Sequence, residues 1–256
     1  MTLKKDILAL GIGNTNLQAA AGRYGGFAAS HMPIKDLSRE NFLCFMEKAF
    51  GPGIWEKPGG IILSTVFPEK TPGIIDAIEE KTGKPVRRID SKACGGITSK
   101  YRGLLGEDRL VCCAGALRIA EPPFLVADFG TAATINVVDK NKTFIGGTIM
   151  TGVKTGLLAL SEGTAQLPLT ELKPDSPVIG INTEQNLISG AVIGAACALE
   201  GYITRIWAEL GYEAPVIITG GDAAAVLPHL RLRCQYEPEL LIQGLFAVYE
   251  YMEAER

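Results

Sequence analysis

Ala9-Leu10-Gly11-Ile12-Gly13-Asn14-Thr15-Asn16 and Val126-Ala127-Asp128-Phe129-Gly130-Thr131-Ala132-Ala133 are two versions of one pattern. Each follows an apolar, strand-like run, turns tightly on a glycine and continues into alternating residues. Each then meets a turn signal, Tyr24-Gly25-Gly26 in one and Asp139-Lys140-Asn141-Lys142 in the other, and a further strand follows. The repeated unit is therefore strand, glycine turn, strand, turn, strand. A glycine lets backbone N–H groups approach a phosphate closely, and the hydroxyls of Thr15 and Thr131 can donate to it. A carboxylate opening the turn can hold a cation that neutralises the phosphate charge. The second version has it, as Asp128; the first has Gly11.

Outward from these turns, the composition bounds the rest. At 256 residues the chain makes one large domain or two ordinary ones. With 47% hydrophobic and 21% charged residues it can bury a substantial core. A net charge of −3 argues against a dedicated nucleic-acid binder. The six cysteines contain no CxxC and only two histidines accompany them, so a reducing cytoplasm fits better than a disulfide framework or a zinc site. Residues 1–6 lack a signal-peptide core. The most apolar long segment, 187–199, is too short to span a bilayer and stops at Glu200, so no membrane association is expected.

Strands are expected at 6–12, 16–22, 26–33, 60–66 and 86–89, with helices at 38–50 and 73–82. Ser38 caps the first helix and Gly83 closes the second. Phe42, Phe45, Met46 and Ala49 share one helical face. Residues 90–108 read as an irregular glycine-rich loop, followed by a helix from about 109 to 120 that Pro122-Pro123 stops. The second unit brings strands near 124–128, 133–138 and 143–149, then a glycine-rich linker over 151–177 and a long helix over 183–210. A buried strand at 216–218 and a C-terminal helix over 238–253 finish the chain. The expected architecture is α/β: two mixed-sheet halves, 1–118 and 119–256, facing a central cleft with their glycine turns lining it.

Three further segments bear on chemistry. Ile218-Thr219-Gly220-Gly221-Asp222 places glycines at the C-terminal end of an apolar strand, where α/β folds bind ligands. Gly220-Gly221 either let an adenine lie against bare backbone or serve tight packing. Leu105-Gly106-Glu107-Asp108-Arg109 sits where loop becomes helix. Asp108 is then either a helix cap or a base for a substrate hydroxyl, with Arg109 as an anion clamp. In Gly180-Ile181-Asn182-Thr183, Thr183 is either an N-cap or a ligand contact. The small-residue stripe Gly190, Gly194, Ala198 signals close helix packing, within the chain or across a dimer. No GxxxxGK[ST] loop occurs, which excludes a P-loop enzyme.

Taken together these motifs, over nearly the whole chain, resemble the type III pantothenate kinases of the actin-like and sugar-kinase superfamily, whose fold is a duplicated ribonuclease-H-like unit. The resemblance implies that Gly11, Ile12, Gly13, Asn14 and Thr15 match the family's ATP-phosphate motif Asp-x-Gly-Asn-Thr except at its first position, and that these residues with Asn16 bind ATP. It implies that Gly106, Glu107, Asp108 and Arg109 match the Gly-x-Asp-Arg motif that binds pantothenate, with Asp108 as catalytic base. Asp128 matches the aspartate that holds a monovalent cation (K+ or NH4+), and Thr131 the threonine that contacts ATP. Asn182-Thr183 matches a pair whose threonine touches substrate, and Gly220 and Gly221 match an ATP-binding segment.

Three positions depart from the pattern. Gly11 replaces the aspartate that positions magnesium–ATP. Tyr101-Arg102-Gly103-Leu104 stands for a Tyr-x-Asn-Pro segment, keeping only the substrate-contacting Tyr101. Thr151-Gly152 stands for Pro-Gly. The function implied is ATP-dependent phosphorylation of pantothenate to 4′-phosphopantothenate, the first step of coenzyme A biosynthesis, with Mg2+ and a monovalent cation, in a cytoplasmic homodimer. Because phosphoryl transfer relies on positioning and charge neutralisation, Gly11 also supports a rival: a weakly catalytic paralogue that binds nucleotide or pantothenate as a regulator. The altered Tyr101 region permits a kinase acting on another hydroxylated substrate.

Overall fold

The computed structural model describes residues 6–56, 58–90, 93–175 and 177–255. It divides into two compact units, the first drawn from Met1–Glu121, Lys142–Phe144 and Glu239–Arg256, the second from Pro122–Asn141 and Ile145–Pro238. A boundary at 118/119 would put the C-terminal helix in the second half; it packs in the first unit instead.

In the first unit β1 (Ile7–Ile12), β2 (Asn16–Arg23) and β3 (Gly26–Pro33) form an antiparallel meander. After helix α1 (Arg39–Phe50), β4 (Ile61–Thr65) returns parallel to β1; after α2 (Thr71–Thr82), β5 (Arg87–Arg88) adds parallel to β4. The sheet order is β3-β2-β1-β4-β5. Local chemistry sets the helix ends. The Ser38 hydroxyl accepts the Asn41 backbone N–H at 3.1 Å, and Gly83 adopts the left-handed conformation (φ 66°) that closes α2. Phe42 and Met46 of α1 are fully buried, whereas Ala49 is exposed. They join Leu8, Leu10, Ile12 and Leu63 in one core, where truncating a buried leucine costs about 2–5 kcal/mol.

The segment expected as irregular loop contains a small hairpin, β6 (Ala93–Cys94) and β7 (Ile97–Ser99). Its two-residue turn is Gly95-Gly96, both at positive φ (57° and 88°), as a primed hairpin turn requires. Helix α3 (Glu107–Ala116) starts two residues earlier and ends earlier than its apolar pattern suggests.

In the second unit β8 (Phe124–Phe129) and β9 (Ala132–Val138) pair antiparallel, with β10 (Thr143–Thr151) beside β9. Helices α4 (Val153–Gly163), α5 (Thr183–Ile188) and α6 (Gly194–Leu210) follow, α5 and α6 joined by a π-helical turn, Ser189–Ile193. Strand β11 (Val216–Thr219) lies parallel to β8; the short helix α7 (Ala223–Val226) leads to β12 (Gln235–Tyr236), parallel to β11. Within a seven-stranded sheet that β7 and β6 continue beyond β10, the order β10-β9-β8-β11-β12 repeats β3-β2-β1-β4-β5. The duplication read from two glycine turns thus extends through both sheets. The last helix, α8 (Leu240–Ala254), packs on α3 and β1 of the first unit.

Helix α4 lies inside the segment read as a linker. It buries only Val153 and Leu157, one i,i+4 pair, and Gly156 interrupts it, so its helical period is weak in sequence. The apolar segment 187–199 lies inside a continuous helical stretch, Thr183–Leu210, whose 28 residues are long and apolar enough to cross a membrane by length and composition alone. Its Val192, Ala196, Leu199 and Ile203 are buried in the second unit's core, as in a core helix of a folded domain.

Candidate active site

Register places the two turns in equivalent frames. In the first unit Gly11 pairs with Gln18 on one side and Ser64 on the other; in the second Asp128 pairs with Thr134 and Thr219. Gly11 and Asp128 therefore occupy the same penultimate strand position. The turns differ in length: four residues separate the Ile12–Leu17 pair, three the Phe129–Ala133 pair. The Gly13 N–H donates to the Asn16 carbonyl at 3.0 Å, and the Gly130 N–H to the Ala132 carbonyl at 3.1 Å. Neither Gly13 nor Gly130 uses a positive φ; their value is room, not backbone freedom.

Surroundings separate the two turns further. A Cβ on Gly11 would lie 2.7 Å from Cδ2 of Leu241, at the start of α8. The space that the expected carboxylate would fill is occupied by a leucine methyl, not left empty. Gly11 is buried and has no positive φ, so the obstacle to a side chain there is a movable leucine rather than the backbone. Asn14 and Thr15 are exposed, and the Thr15 carbonyl is tied to the Ile34 N–H at 2.8 Å.

The second turn is embedded in polar groups. Gly220, at φ 103°, brings bare backbone against Asp128: a Cβ there would meet Asp128 Oδ1 at 2.4 Å and the Phe129 backbone at 2.5 Å. Packing accounts for Gly220, while Gly221 is exposed and its missing Cβ faces open space. The Thr131 carbonyl accepts from the Gly152 N–H at 3.1 Å and the Thr155 hydroxyl at 2.7 Å, leaving the Thr131 side chain on the surface. Gly152 must be glycine, since a Cβ would strike the Gly130 carbonyl at 2.2 Å. Asp222, only 5% exposed, pairs with Lys154 Nζ at 2.7 Å, and its backbone N–H donates to the Phe129 carbonyl at 3.0 Å. Lys154 and Thr155, which lie outside every motif quoted from the sequence, join Asp222, the last residue of the Ile218–Asp222 segment, around this turn.

The Gly-x-Asp-Arg segment opens α3 in the first unit. Gly106 is the N-cap residue, so Asp108 is not the cap; it stands at the second helical position. Its Oδ1 accepts the Arg109 backbone N–H at 2.8 Å and lies so close to Gly106 that a Cβ there would sit 2.5 Å away. Burial raises the Asp108 carboxyl above the ordinary aspartate value, against the opposing pull of the Arg109 N–H and guanidinium. A carboxylate so tuned accepts a proton more readily. Glu107 has structural partners: its Oε2 accepts the Thr65 backbone N–H at 2.8 Å, and Arg88 donates to its Oε1 at 3.2 Å. It fastens α3 to the end of β4. Arg109 lies 5.6 Å from the Tyr101 ring centroid, and Tyr101 is 38% exposed.

At the start of α5 the N-cap is Asn182, whose Oδ1 accepts the Gln185 N–H at 2.9 Å, while Gln185 Oε1 accepts the Ile181 N–H at 2.9 Å. Thr183 is thereby released from capping and is exposed. All six cysteines are free thiols, and burial pushes the Cys94 thiol up to about 12. No group of three or more His, Cys, Asp or Glu side chains that could hold a metal ion occurs among the described residues.

Two sheets that share a five-strand order, with a glycine turn after β1 and after β8, give the duplicated α/β fold of the actin-like and sugar-kinase class. Two solved structures share it: a Campylobacter jejuni protein assigned to the Baf family of transcriptional activators (TM-score 0.62, 19% identity, 97% of this chain and 98% of the other), and the activator of 2-hydroxyisocaproyl-CoA dehydratase from Clostridium difficile with bound ADPNP (TM-score 0.56, 12% identity, 98% and 96%). The family model for type III pantothenate kinase matches residues 7–205, and the chain belongs to that family. A type III pantothenate kinase of Thermus thermophilus is 32% identical over 250 residues, covering 95% of this chain and 98% of the relative. Another, of Thermomicrobium roseum, is 38% identical over 148 residues, 58% of this chain and 57% of the relative.

Proposed function

We propose that this chain transfers the γ-phosphoryl group of ATP to the primary hydroxyl of pantothenate, giving ADP and 4′-phosphopantothenate. The observation that carries the reading is the family match joined to an intact Gly106–Arg109 segment, in which a half-buried Asp108 carboxyl is poised to accept a proton. In this reading Asp108 takes the hydroxyl proton as the oxygen attacks, and Arg109 holds the substrate's carboxylate. Tyr101 and the exposed Thr183 complete the pantothenate contacts. The exposed Thr15 and Thr131 hydroxyls and the backbone of 11–16 contact the ATP phosphates, with Gly221 open beside the nucleotide. When bound, magnesium and a monovalent cation at Asp128 supply charge neutralisation at the phosphates. The polar setting of Asp128 supports this assignment.

The active species is proposed to be a cytoplasmic homodimer. The dimer is supported by exposed apolar residues of the second unit, Leu169 (68%), Val178 (75%), Ile179 (83%) and Ile181 (88%). The regulator alternative rests on Gly11, and family membership favours the enzyme. The test is a coupled ADP-release assay with pantothenate as acceptor, varying magnesium and potassium. Turnover dependent on pantothenate supports the reading; magnesium-dependent ATP hydrolysis indifferent to pantothenate contradicts it.

A further inference from the structure

Arg109 is held by two aromatic rings, and one belongs to a residue outside every motif above. Its guanidinium carbon lies 5.3 Å from the ring centroid of Phe144 and 5.6 Å from that of Tyr101. The two rings meet edge to face, centroids 5.9 Å apart at 73°. Phe144 is fully buried. Its backbone is fixed in the first unit, where it pairs with Ser99 and its carbonyl accepts the Lys100 N–H at 3.1 Å; the neighbouring Thr143 hydroxyl accepts from Thr98 at 3.3 Å. A rigid ring therefore meets a long, flexible cation.

We infer that Phe144 is a positioning residue: with Tyr101 it fixes the Arg109 guanidinium so that its N–H edge is presented to the carboxylate of the acceptor substrate. Both rings are within cation–π range. A guanidinium carries its donors in its plane, so two rings that meet at 73° and both contact it restrict the direction in which the edge that binds a carboxylate bidentately can point. Without the buried ring, Arg109 loses one of the contacts that fix its rotamer, and binding must then remove more freedom. The inference rests on the pantothenate reading and goes beyond it by naming what orients the clamp.

The experiment compares pantothenate with pantothenamide, in which a neutral amide replaces the carboxylate, on the same protein preparations. In Phe144→Leu the KM for pantothenate should rise about five- to tenfold while kcat, KM for ATP and KM for pantothenamide each change less than about threefold. Phe144→Tyr and Phe144→Trp, which keep a ring, should restore most of the preference for the carboxylate. Because the readout is a ratio between two acceptors on one enzyme, loss of folded protein does not imitate it. Should Phe144→Leu fail to fold, Phe144→Met, which fills more of the buried space without a ring, should move the same ratio in the same direction. A ratio equal to wild type in the folded variants, or equal losses for both acceptors, overturns the role of Phe144. Wild-type protein that phosphorylates neither acceptor overturns the proposed function itself, and this inference with it.

Discussion

The turns after β1 and β8 share a place in a repeated sheet, yet at the penultimate position of the strand one meets a leucine side chain and the other carries a carboxylate against bare backbone. At the first, Gly11 leaves a gap that Leu241 closes; at the second, Asp128 fits against the bare backbone of Gly220, with Lys154, Thr155 and Asp222 around the same turn. The difference shows that duplication fixes where a turn lies, while what the turn can bind depends on helices that arrive later in the chain. α8 reaches the first turn and α4 the second.

The largest effect is expected where neither turn is involved. Asp108→Asn should lower kcat by about 10²–10⁴ while leaving ATP affinity nearly intact. Asparagine keeps an acceptor for the Arg109 N–H. The sign for stability follows from the raised carboxyl: the folded state holds the proton more tightly than the unfolded one, so ionised Asp108 costs stability above its folded pKa, a cost relieved as pH falls. The Asn variant should therefore melt no lower than wild type at neutral pH. In the parent, kcat/KM should fall on acidification through Asp108's pKa in the free enzyme, at a pH above the ordinary aspartate range. A variant with wild-type kcat would remove Asp108 from the chemistry.

The second turn is sharpened by Asp128→Asn. It should cost roughly 100-fold in kcat/KM and abolish the advantage of potassium over a bulky organic cation. Equal rates of the parent in both salts would show that the polar turn does not hold a monovalent cation. A smaller loss is expected from Gly220→Ala, because φ 103° disfavours a side chain and its Cβ would overlap Asp128 and Phe129. Urea unfolding should show about 2 kcal/mol of destabilisation. An alanine variant as stable as the parent would contradict the close approach of β11 to β8.

Much of this was legible in the sequence. The two glycine turns, their flanking strands, the Ser38 cap and the long helix over 183–210 follow from local pattern. Helix α4 was hidden because it buries so little, and the hairpin at Gly95-Gly96 because its strands are two and three residues long. The pairings that define the site were hidden for another reason. Leu241 against Gly11, Phe144 against Arg109 and Lys154 against Asp222 join residues distant in sequence, and only the folded chain brings them together. Asp108 was ambiguous because a cap and a base look alike at a helix start; Gly106 at the cap position rules out the first of these.

The most direct test of the contrast between the turns is to give the first one the carboxylate of the second. Magnesium-dependent phosphorylation of pantothenate would be measured in the parent, Gly11→Asp, Leu241→Ala and the double variant, after each is shown to fold. The methyl at 2.7 Å is the far end of a flexible side chain, so Gly11→Asp alone can be accommodated, and shortening Leu241 clears the space fully. The expected result is a rise in kcat/KM of more than about tenfold, roughly 1.4 kcal/mol, in Gly11→Asp, and at least as large in the double variant. Folded, pantothenate-binding variants whose rates stay at the parent level, with and without Leu241, would contradict a kinase weakened at its first turn.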